Sequence, residues 1–191
     1  MIRDGGPIWL DPILARVEHA QSDDAAPAIT SVLRPAAVLV LLIDDPEGPL
    51  LLLTERAAKL RNYPSNLVFP GGAVEPGDNG PVATALREAN EEVGIDPDAV
   101  NIIAMLSPIA LPATGFVVTA VVGWCARLEL TGVVNSDEVA AIVQLPLDEF
   151  SGTSIRVQRV GAGDGARSSL SIDGTAVGAM TAAVIDLLVM P

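Results

Sequence analysis

Apolar residues occur along the chain in short runs, separated by polar segments that contain glycine or proline. The longest uninterrupted run covers residues 36–43, which suits a buried strand and is far too short to cross a bilayer. A strong turn signal at residues 44–48 follows it, and residues 50–56 are predicted to form the second arm of a hairpin. Further strands are predicted from the apolar runs over residues 100–106, 116–128 and 140–145.

Helices are predicted towards both ends of the chain. Residues 12–20 place apolar side chains on one face, with Asp11 as the predicted N-cap, and residues 177–190 form an apolar helix. Two segments are predicted to lack regular structure. The polar, alanine-rich residues 21–30 form a linker, and the glycine-rich residues 161–169 form a mobile loop.

The best-marked helix lies at the centre of the chain, over residues 81–93. It begins with a proline, which suits the first helical turn, and Asp78 or Asn79 is predicted to cap it. Gly94 follows its last residue and suits the left-handed position at which many helices end.

This order of elements favours an α+β fold. Several strands joined by short loops, with one central and two terminal helices, predict an α/β/α sandwich around a mixed sheet. We expect an N-terminal helix and linker over residues 1–30 and a single domain with a C-terminal helix over residues 31–191. Half of the residues are hydrophobic, so a core can form without disulfides or a structural metal.

The charge of the chain limits its partners. Its net charge of −13 repels nucleic acid backbones and anionic membranes, and we expect neither as a partner. A small polyphosphate would also be repelled unless a bound cation intervened. The N-terminal sequence lacks the pattern of a signal peptide, so a cytoplasmic location is expected.

Cysteine and histidine are too rare for several kinds of site. Cys125 and His19 are the only residues of their types, which excludes an intrachain disulfide and a Cys/His zinc cluster. A Ser-His-Asp triad is a poor hypothesis for the same reason. Cys125 lies in an apolar run, which predicts a buried, inert thiol.

Three carboxylates of the central helix are predicted to lie on one edge. Glu88 and Glu92 are one turn apart, and Glu91 shares the same side. Like charges so placed destabilise a helix in water, although Arg87 can pair with Glu91. The remaining negative charge suits Mg²⁺ or Mn²⁺, which prefer oxygen ligands.

The glycine pair before the helix strengthens this interpretation. Gly71 and Gly72 allow backbone groups to approach a metal or a phosphate, and a carbonyl there could be a further ligand. Taken alone, the glutamates would indicate an ordinary helix with a solvated acidic face. The glycine turn, the Arg-Glu pair and the Glu-Glu pair occur together at set spacings, which favours a metal site.

Residues 69–95 resemble the Nudix box. That pattern is a glycine, five residues, an acid, seven residues, and then Arg-Glu-aliphatic-x-Glu-Glu-x-Gly-aliphatic. Here Gly72 is followed by five residues and Asp78, and eight residues separate Asp78 from Arg87. The acid is thus Asp rather than Glu, and the box is one residue longer. A longer box of this kind is similar to that of the coenzyme A pyrophosphatase branch.

An upstream segment also resembles that branch. Its pattern is Leu-Leu-Thr-x-Arg-Ser, three residues, Arg, three residues, Gly, three residues, and Phe-Pro-Gly-Gly. Residues 52–57 match its beginning and are followed by Arg61, Ser65 and residues 69–72, with every spacing kept. Two residue types differ, because Ala57 replaces Ser and Ser65 replaces Gly.

The resemblance implies a role for each candidate residue. It implies a Nudix-like fold in which a small cluster of Mg²⁺ or Mn²⁺ ions is held by Glu88, Glu91, Glu92 and the Gly72 carbonyl. The general base would be a glutamate of the box, Glu91 or Glu92, or the downstream Glu138. Arg56 and Arg61 would bind substrate phosphates. The supporting residues would be Arg87, Asp78 and Glu75, and a solvated loop acid is an equal alternative for Glu75.

The implied reaction is metal-dependent hydrolysis of the diphosphate of coenzyme A or an acyl-coenzyme A. The products would be 4′-phosphopantetheine and adenosine 3′,5′-bisphosphate. Two alternatives stay open: a Nudix hydrolase of ADP-ribose or another nucleoside diphosphate derivative, and a non-catalytic nucleotide-binding Nudix module. The expected partner is a small nucleotide-linked diphosphate, and the terminal helices are candidate contacts for a homodimer.

Overall fold

The computed structural model describes residues 6–23, 33–60, 62–128, 135–148, 156–160, 167–172 and 174–189. Its α-helices are α1 (Asp11–Asp23), α2 (Pro81–Val93) and α3 (Ala179–Val189), with short 3-10 helices at Ile8–Leu10 and Pro97–Ala99. Its strands are β1 (Arg34–Ile43), β2 (Leu50–Arg56), β3 (Leu67–Val68), β4 (Gly71–Ala73), β5 (Asn101–Met105), β6 (Ile109–Leu111), β7 (Phe116–Cys125), β8 (Val139–Pro146), β9 (Arg156–Val160), β10 (Arg167–Ile172) and β11 (Thr175–Ala176).

The strands β1 to β8 form one mixed sheet around the apolar run at its centre. β1 and β7 pair in parallel over ten residue pairs, from Arg34 opposite Phe116 to Ile43 opposite Cys125. The other pairings within this sheet are antiparallel, including the predicted hairpin of β1 and β2. Its order is β3-β2-β1-β7-β5, with β4 beside β1, β6 beside β7 and β8 beside β2. The strands β9 to β11 form a separate antiparallel sheet.

Alternate residues of β1 point into two different apolar layers. Val40 and Leu42 pack on the side that carries α1 and α3, whereas Leu39 and Leu41 pack on the side that carries α2. All four side chains are fully buried, and each contributes about 1.5–3 kcal/mol of transfer free energy. Burial on both faces explains why this strand is continuously apolar instead of alternating. The predicted α/β/α sandwich with a mixed sheet is confirmed.

The N-terminal helix packs on the C-terminal helix. Ile13 and Val17 of α1 are buried in the same layer as Ile185 of α3. The Nη1 atom of Arg16 donates a hydrogen bond of 2.7 Å to the carbonyl of Leu188, near the end of α3 where carbonyls lack helical partners. Within the described ranges, none of the helices is long and apolar enough to cross a membrane.

Two predictions at the N-terminus are wrong in detail. Asp11 has helical backbone angles and is the first residue of α1, so it is not an N-cap. The helix continues to Asp23, so the first three residues of the predicted linker are helical. The remainder of that linker, residues 24–30, lies outside the described residues.

The predicted cap of α2 is also wrong. Neither Asp78 nor Asn79 caps the helix, because the N-cap position is Gly80, with a φ of 88° and no side-chain hydrogen bond. The predicted end is confirmed, since Gly94 adopts the left-handed conformation at the C-terminus. Asp78 instead accepts a hydrogen bond from the side chain of Arg87, within α2.

Several strands were not predicted, because they are very short or lie in polar sequence. β10 begins at Arg167, within the segment predicted to be a mobile loop, and residues 161–166 lie outside the described residues. β6 has three residues and β11 has two, too few for a hydrophobic period to be visible.

The burial predicted for Cys125 is confirmed, and this burial raises the pKa of its thiol to about 11.

Candidate active site

Helix α2 sets the position of the candidate site because one of its faces is fixed on the sheet. Ala85, Ala89 and Val93 are fully buried against the layer that contains Leu39 and Leu41. This stripe recurs at the helical spacing of three to four residues, which leaves the adjacent edge of the helix facing β4.

Glu88 and Glu92 lie on the edge of α2 that faces β4, and Glu92 is the more deeply buried of the two. It is 6% exposed, and its Oε2 atom accepts a hydrogen bond of 3.0 Å from the backbone N–H of Gly71. Desolvation raises the pKa of Glu92 to about 8, and the negative charges of Glu88 and Glu138 add to the rise. The Gly71 hydrogen bond and the positive charge of Arg56 act in the opposite direction.

Glu88 lies directly over the glycine turn. A β-carbon built at Gly72 would be 2.5 Å from its Oε1 atom, closer than real atoms approach. The sequence predicted that the glycine pair lets backbone groups approach a metal or a phosphate. The group that lies against Gly72 in the structure is the carboxylate of Glu88. Desolvation is the main reason that the pKa of Glu88 is raised.

Arg87 ties the helix to the loop before it. Its Nε and Nη2 atoms donate to the two carboxylate oxygens of Asp78, at 3.0 and 3.1 Å, and Nη2 also donates to the Ala73 carbonyl at 3.0 Å. Nη1 donates to Oε2 of Glu91 at 3.0 Å. These bonds hold the pKa of Asp78 well below its usual range. The predicted pairing of Arg87 with Glu91 is therefore present, and Nη2 of Arg87 also lies 3.1 Å from Oε1 of Glu88.

Asp78 has two further partners, and Glu75 supplies one of them. The backbone N–H of Glu75 and the hydroxyl of Thr84 each donate to Oδ2 of Asp78 at 2.9 Å. The side chain of Glu75 is exposed, so its contribution to the site comes from its backbone. This arrangement fits the solvated-acid alternative for that side chain.

Glu91 differs from the expectation of three converging carboxylates. Its side chain is 55% exposed and pairs with Arg87, while Glu88 and Glu92 line the cavity beside the helix. Among the residues that the structure describes, no three acidic, histidine or cysteine side chains are grouped closely enough to surround a cation. Arg87 lies one turn before Glu91, and their ion pair holds the Glu91 carboxylate on the exposed side of the helix.

Glu138 reaches the same cavity from a turn outside the box. The backbone N–H of Asn135 donates to the carbonyl of Glu92 at 3.0 Å, and the N–H of Ala57 donates to the carbonyl of Glu138 at 2.8 Å. The neighbouring side chain of Asp137 forms an exposed ion pair with Lys59. The turn is thus held by α2 on one side and by the upstream segment on the other.

Arg56 also lines the cavity, at the end of β2. The pairing of β2 with β8 shifts register between Glu55 and Arg56, an irregularity that re-aims the side chain. The Nε atom of Arg56 donates to the carbonyl of Asn62 at 3.1 Å. Arg61, the second predicted phosphate ligand, lies outside the described residues.

The cavity has a volume of about 420 Å³, which is within the usual range for small-molecule sites. Its polar side contains Glu88, Glu92, Glu138, Arg56 and the backbone of Gly72. Its other side is apolar and was not predicted. It includes Val38, Leu111, Phe116, Val118 and Met180, together with Tyr63 near the polar side. These residues come from distant elements, so no local sequence pattern could have grouped them.

Comparison with known proteins agrees with this geometry. The NUDIX domain family model matches residues 33–159. An uncharacterized Nudix hydrolase NudL from Cronobacter sakazakii is 43% identical over 146 residues, covering 76% of this chain and 73% of that protein. NudL of Salmonella paratyphi B is 46% identical over 144 residues, covering 75% and 72%.

A solved structure supports the fold. A NUDIX hydrolase from Alicyclobacillus acidocaldarius superposes with a TM-score of 0.52 at 20% identity, over 86% of this chain and 94% of that one. Nudix hydrolases in general use divalent ions such as Mg²⁺ or Mn²⁺. From the match to the family model and the identity to the NudL proteins, the chain belongs to the Nudix hydrolase family and is a hydrolase of pyrophosphate bonds.

Proposed function

We propose that this hydrolase splits the diphosphate bond of coenzyme A or an acyl-coenzyme A. The observation that carries the proposal is the position of the upstream segment, the part of the sequence that resembles the coenzyme A branch. Arg56 and residues 60, 62 and 63 of this segment line the same cavity as Glu88 and Glu92. The segment is therefore placed to contact whatever diphosphate the glutamates act on.

The two departures from that upstream pattern are compatible with its geometry. Ser65 stands where the pattern has Gly, and its φ of 57° lies in the left-handed region that favours glycine. The conformation is thus kept although the residue type differs. Ala57 stands where the pattern has Ser, and its backbone N–H, which every residue type except proline would supply, holds the Glu138 turn.

The residues present fit a divalent cation. Carboxylate and carbonyl oxygens are the donors that Mg²⁺ and Mn²⁺ prefer. Glu92 is a buried acid and Glu88 a partly buried one, and both carboxylates gain from a nearby positive charge. We assign Glu88 and Glu92, with the carbonyl of Gly72, as the ligands, and Glu91 as a further ligand once its carboxylate leaves Arg87. The metal, when bound, would neutralise the diphosphate and lower the pKa of the attacking water.

The protein residues would complete the reaction. Glu138 would accept the proton of the attacking water as general base, with Glu91 or Glu92 as the alternatives. Arg56 would bind a phosphate oxygen through its terminal guanidinium nitrogens, and Arg61 would do the same from the upstream segment. Arg87 and Asp78 would keep the glutamates in place without contacting the substrate. The phosphate of the other half leaves, and no covalent intermediate forms.

ADP-ribose or another nucleoside diphosphate derivative is the second candidate substrate. The observation that favours it lies in the C-terminal segment 177–182. This segment resembles a stretch of the coenzyme A branch that contains Trp-Gly, but it has no aromatic residue. Residues 178–181 line the cavity, so the missing ring would have been near the substrate.

A substrate panel separates the two candidates. Purified protein with Mg²⁺ is assayed on coenzyme A, acetyl-coenzyme A, ADP-ribose, NADH and nucleoside triphosphates, and products are identified by mass. The proposal expects the highest kcat/KM for a coenzyme A species, with 4′-phosphopantetheine released. A higher value for ADP-ribose would reject it in favour of the second candidate. Glu92→Gln should lose activity, whereas Glu47→Gln, at an exposed turn, should not.

A further inference from the structure

Tyr63 is the only tyrosine of the chain, and it lies where the cavity opens to solvent. Its side chain lines the cavity, yet the residue is 46% exposed. By contrast, Phe69, another aromatic residue lining the cavity, is 2% exposed. Large aromatic side chains gain free energy from burial, so a half-exposed ring at a cavity mouth is a surface available to a ligand.

The backbone of Tyr63 is strained, and its surroundings hold it in place. Its φ is 52°, and that of Ser65 is 57°, so two non-glycine residues of one turn are left-handed. Such conformations persist only where the structure over-determines them, and they cluster at ligand-binding sites. Here the turn is closed by backbone hydrogen bonds, from Ser65 N–H to the Arg56 carbonyl at 3.1 Å and from Arg56 N–H to the Asn66 carbonyl at 3.0 Å.

Arg56 links this turn to the candidate catalytic glutamates. Its Nε atom is bound by the carbonyl of Asn62, the residue before Tyr63, and its charge acts on Glu92. In order of increasing exposure, the three groups are the buried carboxylate of Glu92, the partly buried Arg56 and the half-exposed ring of Tyr63. A nucleotide has the matching order, because its phosphates lie on one side of the ribose and its base on the other.

We infer that the ring of Tyr63 stacks on the nucleobase of the substrate and thereby selects nucleotide-linked diphosphates. The inference rests on the proposed function only in that the substrate carries a nucleotide, as coenzyme A and ADP-ribose both do, each with adenine as its base. A base presents a flat face for stacking and polar edges that need water, which suits a half-exposed ring. The aliphatic parts of a pantetheine or acyl group suit the apolar wall formed by Leu111, Val118 and Met180.

The unique tyrosine gives a direct test that needs no turnover. Protein labelled with 3-fluorotyrosine has a single ¹⁹F resonance, from position 63. With Mg²⁺ present, adenosine 5′-monophosphate is expected to shift that resonance upfield, as the ring current of a stacked base does. Ribose 5-phosphate and 4′-phosphopantetheine are the matched probes without a base, and they should leave it in place. Equal shifts with these probes, or no shift at nucleotide concentrations that inhibit hydrolysis, would overturn the inference.

Variants at the same position test the energetic contribution. Tyr63→Leu should raise the KM of the preferred nucleotide substrate about tenfold, because base–aromatic stacking is lost, with little change in kcat. Tyr63→Phe keeps the ring and should stay within about twofold of the wild type. Equal losses in the two variants would point to the hydroxyl and contradict stacking. If ADP-ribose proves to be the substrate and the ¹⁹F shift is still seen, the coenzyme A proposal fails while the stacking inference stands.

Discussion

Arg87 holds Asp78 through a two-pronged contact, with Nε 3.0 Å from Oδ1 and Nη2 3.1 Å from Oδ2. Paired hydrogen bonds between a guanidinium and a carboxylate are directional as well as charged. Because Arg87 also binds the Ala73 carbonyl, this contact joins α2 to the end of β4. Compared with the Nudix box, this chain has Asp78 in place of Glu and one additional residue before Arg87. Both departures are compatible with direct contact between the two halves of the box, because Asp78 and Arg87 still meet.

We predict that Asp78→Asn destabilises the protein at neutral pH but not in acid. The pKa of Asp78 is held below its ordinary value of 3.8, so its charged form stabilises the folded state above that pH. This stabilisation is lost as the pH falls through and below 3.8. Urea unfolding at several pH values should show a lower free energy of unfolding for the variant at pH 7 and a shrinking difference below about pH 4.

Arg87→Lys is the companion variant, because it keeps the positive charge and removes the planar guanidinium that contacts both carboxylate oxygens of Asp78. It should share the defect of Asp78→Asn at pH 7 and lower kcat, since the helix and the glycine turn are no longer tied. Glu47→Gln provides a control in an exposed turn. A gap between Asp78→Asn and the wild type that persists unchanged at pH 2 would show that hydrogen-bond geometry, not charge, is responsible.

Adjacent glycines are predicted to have different functions. The three atoms nearest to a β-carbon at Gly72 all belong to the flexible carboxylate end of Glu88, so Gly72→Ala should fold and displace that carboxylate. We expect a fall in kcat of about 100-fold with a small change in melting temperature. At Gly71, with a φ of 156°, a β-carbon would be 2.4 Å from the Ala37 carbonyl, a backbone atom that cannot move away.

Gly71→Ala should therefore lower the free energy of unfolding by about 3 kcal/mol or more. Thermal melts and steady-state kinetics of the two variants are measured side by side. The prediction is the contrast between them, because Gly72→Ala should be stable and slow while Gly71→Ala should be unstable. Comparable stability losses in both would indicate that Glu88 cannot move and that the turn is rigid as a unit.

The parts of the fold that depend on local periodicity were predictable. The buried strand over residues 36–43 and the helix over residues 81–93 follow from runs and spacings long enough to exclude other structures. The N-cap of α2 was not predictable in this way. Asp78 has the right residue type for a cap, but a guanidinium nine residues away offered it stronger hydrogen bonds.

The site was predictable only where one element carries it. Glu88 and Glu92 share a helix edge, so their spacing alone places them together. Glu91, three residues after Glu88, was expected on the same side but pairs with Arg87, and a spacing rule does not weigh competing partners. Tyr63 and the apolar wall come together through contacts between distant elements, and the left-handed turn that presents Tyr63 contains no glycine to signal it.

Neighbouring acids in one turn test the general base. Glu138→Gln is predicted to lower kcat by about 10²–10⁴-fold, because it removes a proton acceptor from the cavity. Asp137→Asn changes the adjacent residue, whose exposed ion pair with Lys59 contributes little to stability because solvent screens it. Its kcat should stay within about twofold of the wild type. A Glu138→Gln enzyme with more than half of the normal kcat would transfer the role of base to Glu91 or Glu92.

Glu92 is predicted to make the stability of the metal-free protein fall as the pH rises. Its pKa is raised from an ordinary value of 4.5 to about 8, so the folded state favours the protonated carboxyl. Relative to a neutral residue, its contribution is most favourable below pH 4.5 and is lost progressively up to about pH 8. Glu92→Gln should flatten this slope in melts recorded with a chelator, while Glu47→Gln should keep it.

Magnesium should counter that loss if Glu92 is a ligand. Metal binding requires the deprotonated carboxylate, so Mg²⁺ should raise the melting temperature of the wild type more at pH 8.5 than at pH 6. Glu92→Gln should show a small metal effect at both values, because the ligand and its titration are removed together. If the variant is stabilised by Mg²⁺ as much as the wild type, the buried carboxylate lies beside the metal without binding it, and the burial of Glu92 would then serve the Gly71 hydrogen bond alone.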